Sequence, residues 1–227
     1  RGLATKVPSN LKGKSKSSQE WITRQLADPY VEKAKMMNYR CRSCFKLLEI
    51  DEKHKILKPG SVVIDVGAAP GSWSQICVKA VNSNGDDKNK PKGMVIGIDK
   101  LQIYPVDGAT FLGNTDFSTQ AAQEKIKSLL NGRRVDCVLS DMAPNATGIR
   151  TLDQDAIMDL AFSVFKFALQ VSSPDANLLI KVWDNGEVQK LEKSMSLFYE
   201  TIRHVKPHAS RGDSSEKFIL AKGFKKP

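Results

Sequence analysis

Hydrophobic positions change their period along this chain, and the change separates a helical beginning from a body of alternating elements. Trp21, Ile22, Leu26, Tyr30 and Val31 recur near the helical period, with Asp28-Pro29 interrupting the run. A second helix is expected over residues 42–52, with Phe45, Leu48 and Ile56 facing inward, before Lys58-Pro59-Gly60 punctuates the chain. Beyond that point short apolar runs alternate with helix-like segments. Strands are predicted at 62–66, 94–98, 110–112, 135–139 and 177–182; a helix is predicted after the turn that follows 66, running through Val81, and others at 119–130, 153–171 and 186–199. Segments 202–206 and 217–221 follow with no room for a helix between them, so they should pair antiparallel. The alternation implies an α/β fold, a parallel sheet with helices on both faces.

Length and composition add bounds to this picture. A chain of 227 residues fits one domain with a sizeable core. No apolar run approaches the roughly 20 residues that a spanning helix needs; residues 160–171 are broken by Ser163, Lys166 and Gln170. The net charge of +10 is unevenly placed: residues 1–60 hold 14 Lys+Arg against 6 Asp+Glu, residues 61–200 hold 14 against 17, and residues 201–227 hold 7 against 2. Two basic ends around a mildly acidic middle suit a polyanion such as nucleic acid.

Residues 1–20 hold no acid before Glu20, and their Lys- and Ser-rich composition is that of a mobile basic segment. It also matches organelle targeting peptides or the stretch beside their cleavage sites. Residues 21–227 are read as a single domain, of which 21–58 form a basic helical region facing the partner. Cys41 and Cys44 make a lone Cys-x-x-Cys, read as helix residues one turn apart rather than half a zinc site or a redox pair. His54, His204 and His208 are scattered, so no metal is expected.

The chemistry begins at Gly67-Ala-Ala-Pro-Gly71, between the first strand and the first helix of the body, where glycine lets backbone approach a ligand closely. Pro70 removes an N–H and the third glycine of the dinucleotide fingerprint is missing, which disfavours a nicotinamide cofactor. Asp99 ends the second strand, placed to accept from the ribose hydroxyls of a nucleoside. Asp116 and Phe117 follow the third strand beside the adenine position, although Asn114-Thr115-Asp116 can equally be a turn with a helix cap. Asp65, inside the first strand, either faces the cationic end of the ligand or serves as a structural acceptor.

The strings Asp65-Val-Gly-Ala-Ala-Pro-Gly-Ser-Trp-Ser74, Leu139-Ser-Asp-Met-Ala-Pro-Asn145 and Ser214-Ser-Glu-Lys-Phe218 resemble the FtsJ/RrmJ family of RNA ribose 2′-O-methyltransferases. The resemblance runs from about residue 21 to 224 and departs at Ser72, where the family often has a second glycine. It implies a Rossmann-like S-adenosylmethionine-dependent methyltransferase fold, a seven-stranded, mostly parallel sheet with the last strand pair antiparallel. It implies S-adenosylmethionine as cofactor, held by Asp65, Gly67, Pro70, Gly71, Ser72, Trp73, Asp99, Asp116, Phe117 and Asp141. Its Lys-Asp-Lys-Glu tetrad falls on Lys46, Asp141, Lys181 and Glu216. Strand order alone brings Asp141, Lys181 and Glu216 to the carboxyl edge of the sheet; Lys46 rests on the resemblance.

Methyl transfer from a sulfonium to a ribose hydroxyl requires alignment of the two groups and removal of the hydroxyl proton. The resemblance assigns that proton to Lys181. The polar loop 82–92 is longer than in bacterial members and is similar to the mitochondrial branch, which methylates large-subunit ribosomal RNA. A monomer acting on the large-subunit precursor in the mitochondrial matrix is the resulting expectation, with cytoplasm and nucleus as other compartments. Arg24, Lys33, Lys35, Tyr39, Arg40 and Arg42 are expected to contact RNA, extended by Lys206, Arg211 and Lys217 across the cleft. Tyr39 can equally be core. Rival readings are a non-catalytic RNA-binding assembly factor, and a transfer-RNA or messenger-cap methyltransferase of the same fold.

Overall fold

The computed structural model describes residues 13, 15–144, 147–183, 186–212 and 214–225. Of the basic segment 1–20, residues 1–12 and 14 lie outside the described residues, as does Asn145; helix α1 (Lys16–Leu26) already starts five residues before Trp21, capped by Ser15. Asp28-Pro29 interrupts the helical run because Asp28 caps α2 (Pro29–Met36), accepting from the Tyr30 N–H with proline in the first turn. Helix α3 (Cys44–His54) ends at Lys55 in the left-handed conformation.

The body follows as β1 (Val62–Val66), α4 (Ser72–Val81), β2 (Met94–Ile98), β3 (Ala109–Leu112), α5 (Gln120–Leu130), β4 (Val135–Ser140), α6 (Arg150–Val171), β5 (Ser172–Trp183), α7 (Val188–Ser196), β6 (Tyr199–Val205) and β7 (Glu216–Phe224). One seven-stranded sheet has the order β3-β2-β1-β4-β5-β7-β6, with β1–β5 parallel and β7 antiparallel to both neighbours. All five residues of β1 are buried, as a strand covered on both faces must be. One face packs on α5, α6 and α7 through residues such as Ile126, Phe167 and Leu191; the other packs on α3 and α4 through Leu47, Ile50, Cys77 and Val81.

Several elements differ from their expected bounds; β7 runs over Glu216–Phe224 rather than 217–221, and α6 starts at Arg150 rather than at 153. β5 begins at Ser172, directly at the end of α6, so the strand starts five residues before the apolar run at 177–182 and ends one residue after it. The expected helix at 186–199 joins α7 to the start of β6: Tyr199, buried against Phe224 at 5.3 Å, belongs to the strand. The apolar pair Phe198-Tyr199 fits either period, and only the pairing with β7 separates them.

Candidate active site

Antiparallel pairing places Lys181 opposite Phe218 and Trp183 opposite Glu216, so all four side chains share one face of the sheet. Lys181 lies inside β5 rather than beyond its end; its parallel neighbour β4 stops at Ser140, which brings Asp141 beside it. Lys181 Nζ reaches Asp141 Oδ1 at 3.1 Å and donates to the Asp141 carbonyl at 2.6 Å.

Lys46 arrives from the first turn of α3, where the helix dipole disfavours a cation. Glu216 compensates: Lys46 Nζ lies 2.7 Å from Oε1 and 2.8 Å from Oε2, and 4.0 Å from Asp141 Oδ1. Lys46 and Lys181 are each 8% exposed, so these charges are stable only as a set. Burial pushes the Glu216 carboxyl up, yet Lys46, Lys181 and the Ser210 hydroxyl outweigh it and hold the carboxyl below its ordinary range. The four residues thus form an alternating chain of charges, Glu216–Lys46–Asp141–Lys181.

Beside Asp141 opens a cavity of about 370 Å³ at the carboxyl ends of β1, β2 and β4. Gly67, Asp99, Asp116, Phe117 and Asp141 are among its walls, as are Lys100, Met142 and Leu160. Asp99 braces the turn by accepting from the Ala69 N–H at 2.9 Å and the Leu101 N–H at 2.8 Å, which leaves lone pairs for a ribose. Asp116 accepts from the Ser118 N–H and hydroxyl at 2.9 and 2.7 Å and pairs with Lys100 at 3.1 Å. It therefore builds a turn and lines the cavity at once, while Thr119 caps α5.

Gly67 has φ +80°, and a Cβ there would lie 2.6 Å from Met142 Cγ and 3.0 Å from the Met142 nitrogen. Gly67→Ala is expected to weaken S-adenosylmethionine binding at least about tenfold and to lower the melting temperature, because strain and overlap fall on the turn itself. Calorimetric titration checks this; unchanged affinity would mean that the turn does not hold the ligand.

Asp65 lies fully buried beneath the turn. Its Oδ2 accepts from Ser74 Oγ at 2.6 Å while Oδ1 has no hydrogen-bond partner. Burial, opposed by Ser74 and reinforced by Asp141 and Asp99, pushes its carboxyl from 3.8 up to about 7. The folded chain thus holds a proton that the unfolded chain releases at lower pH, so stability is lost as pH rises from about 4 to about 7. In the cofactor-free protein, the stability of Asp65→Asn relative to wild type should therefore increase across that window. Melting curves at several pH values read this, and a difference independent of pH would contradict it.

Ser72 and Trp73 face away from the cavity. The start of α4 turns both toward α3: Ser72 Oγ meets Cys41 Sγ at 2.9 Å, and Trp73 Nε1 donates to the Ser43 carbonyl at 2.8 Å while its ring packs on Phe218. Pro70 and Gly71 are not among the cavity's walls, and Arg40 clamps the turn there. That guanidinium donates to the carbonyls of Pro70 at 2.8 Å, Tyr104 at 2.6 Å and Pro105 at 2.6 Å.

Among the other basic residues of the leading region, Arg42 pairs with Asp28 at 2.8 Å and donates to the Ala209 carbonyl at 2.5 Å. Tyr39 packs edge-on against Phe45, with Lys79 over its ring. Lys33 lies over Phe45, Lys35 pairs with Glu32 on the surface, and Arg24 lies in the last turn of α1. A fixed guanidinium has the same charge as a free one, so composition alone does not separate the loop-clamping arginines from those open to solvent. Cys41 lies in the turn before α3 rather than within it, and burial, then Cys41, pushes the Cys44 thiol up to about 12, far from a thiolate.

Residues that sequence reasoning missed include Lys100 and Met142 in the cavity, and Ser210, whose hydroxyl donates to Glu216 Oε1 at 2.8 Å. Lys100 and Met142 stand next to Asp99 and Asp141, a proximity signal in the sequence. Ser210 carries none.

A doubly covered sheet in this order, with a nucleoside-sized cavity after its central strands, defines the Rossmann-like methyltransferase class. The chain belongs to the FtsJ-like methyltransferase family, whose sequence profile matches residues 39–224. It is 59% identical to rRNA methyltransferase 2, mitochondrial, of Drosophila melanogaster, covering 98% of this chain and 89% of that one. Identity to the ribosomal RNA large subunit methyltransferase E of Parvibaculum lavamentivorans is 44%, over 99% and 88%. A crystal structure of a protein assigned as a ribosomal RNA methyltransferase from Plasmodium falciparum superposes with a TM-score of 0.71 at 26% identity, covering 82% of this chain and 98% of that one.

Proposed function

We propose that this chain transfers a methyl group from S-adenosylmethionine to a ribose 2′-hydroxyl, the nucleoside being uridine, of large-subunit ribosomal RNA in mitochondria. The observation that carries the reading is the ion-paired Lys46–Asp141–Lys181–Glu216 set, both lysines buried, beside a nucleoside-sized cavity. The names of the relatives from Drosophila and Parvibaculum support the RNA class, and the former supports the compartment.

The residues present fit the cofactor: Asp99 keeps acceptor capacity for ribose hydroxyls, and Gly67 leaves room that a Cβ would fill. S-adenosylmethionine, when bound, supplies an activated methyl group on a sulfonium. Asp141 lies on the cavity wall and beside Lys181, so it connects the two reacting sides. Lys181 takes the hydroxyl proton at Nζ, and Lys46 and Glu216 fix the acceptor face. The remaining wall beside Lys46 and Glu216, a recess of about 270 Å³, also carries Arg42 and Arg211, which suits a phosphate-flanked ribose.

The test is transfer of labelled methyl groups to large-subunit ribosomal RNA, transfer RNA and capped messenger RNA. Label confined to the large-subunit RNA is the expected result. Label on transfer RNA or the cap alone would replace the substrate assignment.

A further inference from the structure

A second concavity, of about 690 Å³, lies between the C-terminal half of α3 and the edge strand β6. Lys53, His54, Arg203, Lys206 and His208 are on its walls, with Glu49 and Glu52. Glu49 is already committed: both its oxygens accept from the Ala209 N–H, at 3.2 and 3.3 Å. His54 Nε2 is buried and has no hydrogen-bond partner. Burial, then the charges of Lys53, Arg203 and Lys222, hold that imidazole below its ordinary range, and Lys53 and Arg203 share the cleft wall with it. Lys222 itself donates to the His54 carbonyl at 3.0 Å, and His204 pairs with Glu192. The complement of such a site is an anion that brings its own hydrogen-bonding oxygens.

The cleft is joined to the active site by two elements. Helix α3 carries both Lys46 and Lys53, seven residues and about 10 Å apart along the axis. The turn from Lys206 to Arg211 runs from the cleft to the tetrad, where Arg42 holds its Ala209 carbonyl and Ser210 donates to Glu216. A strand whose ribose sits at Lys181 can therefore follow α3 toward the cleft.

We propose that the α3–β6 cleft binds a backbone phosphate of the RNA substrate, a short distance along the strand from the methylated ribose. This rests on the reading of RNA as substrate, but its test needs no turnover. The double variant Lys53→Glu, Arg203→Glu changes two exposed side chains and should leave the melting temperature and S-adenosylmethionine affinity unchanged. Its Kd for a fluorescent single-stranded RNA oligonucleotide should rise at least about tenfold. The salt dependence of log Kd should become shallower by about 0.7, the contribution of one phosphate on a single strand.

Imidazole resonances of His54 should shift with the oligonucleotide at micromolar concentrations and with inorganic phosphate only at millimolar ones. Wild-type-like RNA affinity in the double variant overturns the proposal. So does a His54 response to inorganic phosphate as sensitive as to RNA, which would make the cleft a free-phosphate site. A wild-type chain that binds the oligonucleotide in this way but methylates no RNA would overturn the functional reading and leave the cleft standing.

Discussion

Replacing Lys181 by alanine is expected to lower the single-turnover rate of methyl transfer by about 10³ or more, with the Kd for S-adenosylmethionine within about twofold of wild type. The size follows from the role: a positioned general base contributes about 10²–10⁴-fold. The split follows from position, because Lys181 approaches Asp141 from β5 and is not among the residues that wall the cofactor cavity. Alanine also leaves Asp141 without its nearest cation, so a melting curve must accompany the rate. Lys181→Arg addresses that concern. A guanidinium keeps the charge but does not release its proton, so it can pair with Asp141 and cannot act as base. Both variants should be inactive; substantial turnover in Lys181→Arg would make the residue a clamp and not a base.

Asp141→Ala is expected to fail in a different way, losing methyl transfer and cofactor affinity together. Asp141 stands on the cavity wall and is 3.1 Å from Lys181 and 4.0 Å from Lys46. Its removal leaves Lys46 with Glu216 and Lys181 with no carboxylate partner among the described residues, an uncompensated buried charge beside the proposed site of a sulfonium. Hydrogen bonds to charged groups contribute about 1.5–3 kcal/mol, so the Kd for S-adenosylmethionine should rise at least about tenfold. Equilibrium titration beside a single-turnover assay separates this variant from Lys181→Ala. Equal cofactor affinity in the two would mean that Asp141 serves the tetrad only.

Much of this architecture is legible in the sequence because period and punctuation agree. The apolar runs at Val62–Val66 and Met94–Ile98 match their strands residue for residue. Segments 202–206 and 217–221 overlap β6 and β7, which pair antiparallel as the absence of room for a helix requires. Asp99 and Asp116 reach the cavity because residues that follow parallel strands share one edge. Side-chain direction was harder to read. Ser72 and Trp73 stand beside the glycine turn in sequence, but the helix that begins at Ser72 swings both toward α3.

Long-range partners were harder still. Arg40 and Arg42 read as a basic patch, while their guanidinium groups hold carbonyls 30 to 167 residues away. Lys46 reaches Glu216 across 170 residues, and its place came from the family motif rather than from local pattern.

The central claim is that the methyl group reaches a ribose hydroxyl, and the chemistry of the product tests it most directly. Ribosomal RNA labelled by the wild-type chain is hydrolysed in alkali, which needs a free 2′-hydroxyl to cleave each linkage. Label recovered in an alkali-resistant dinucleotide, and absent with Lys181→Ala, is the predicted result. Label in mononucleotides would place the methyl on a base and contradict the account.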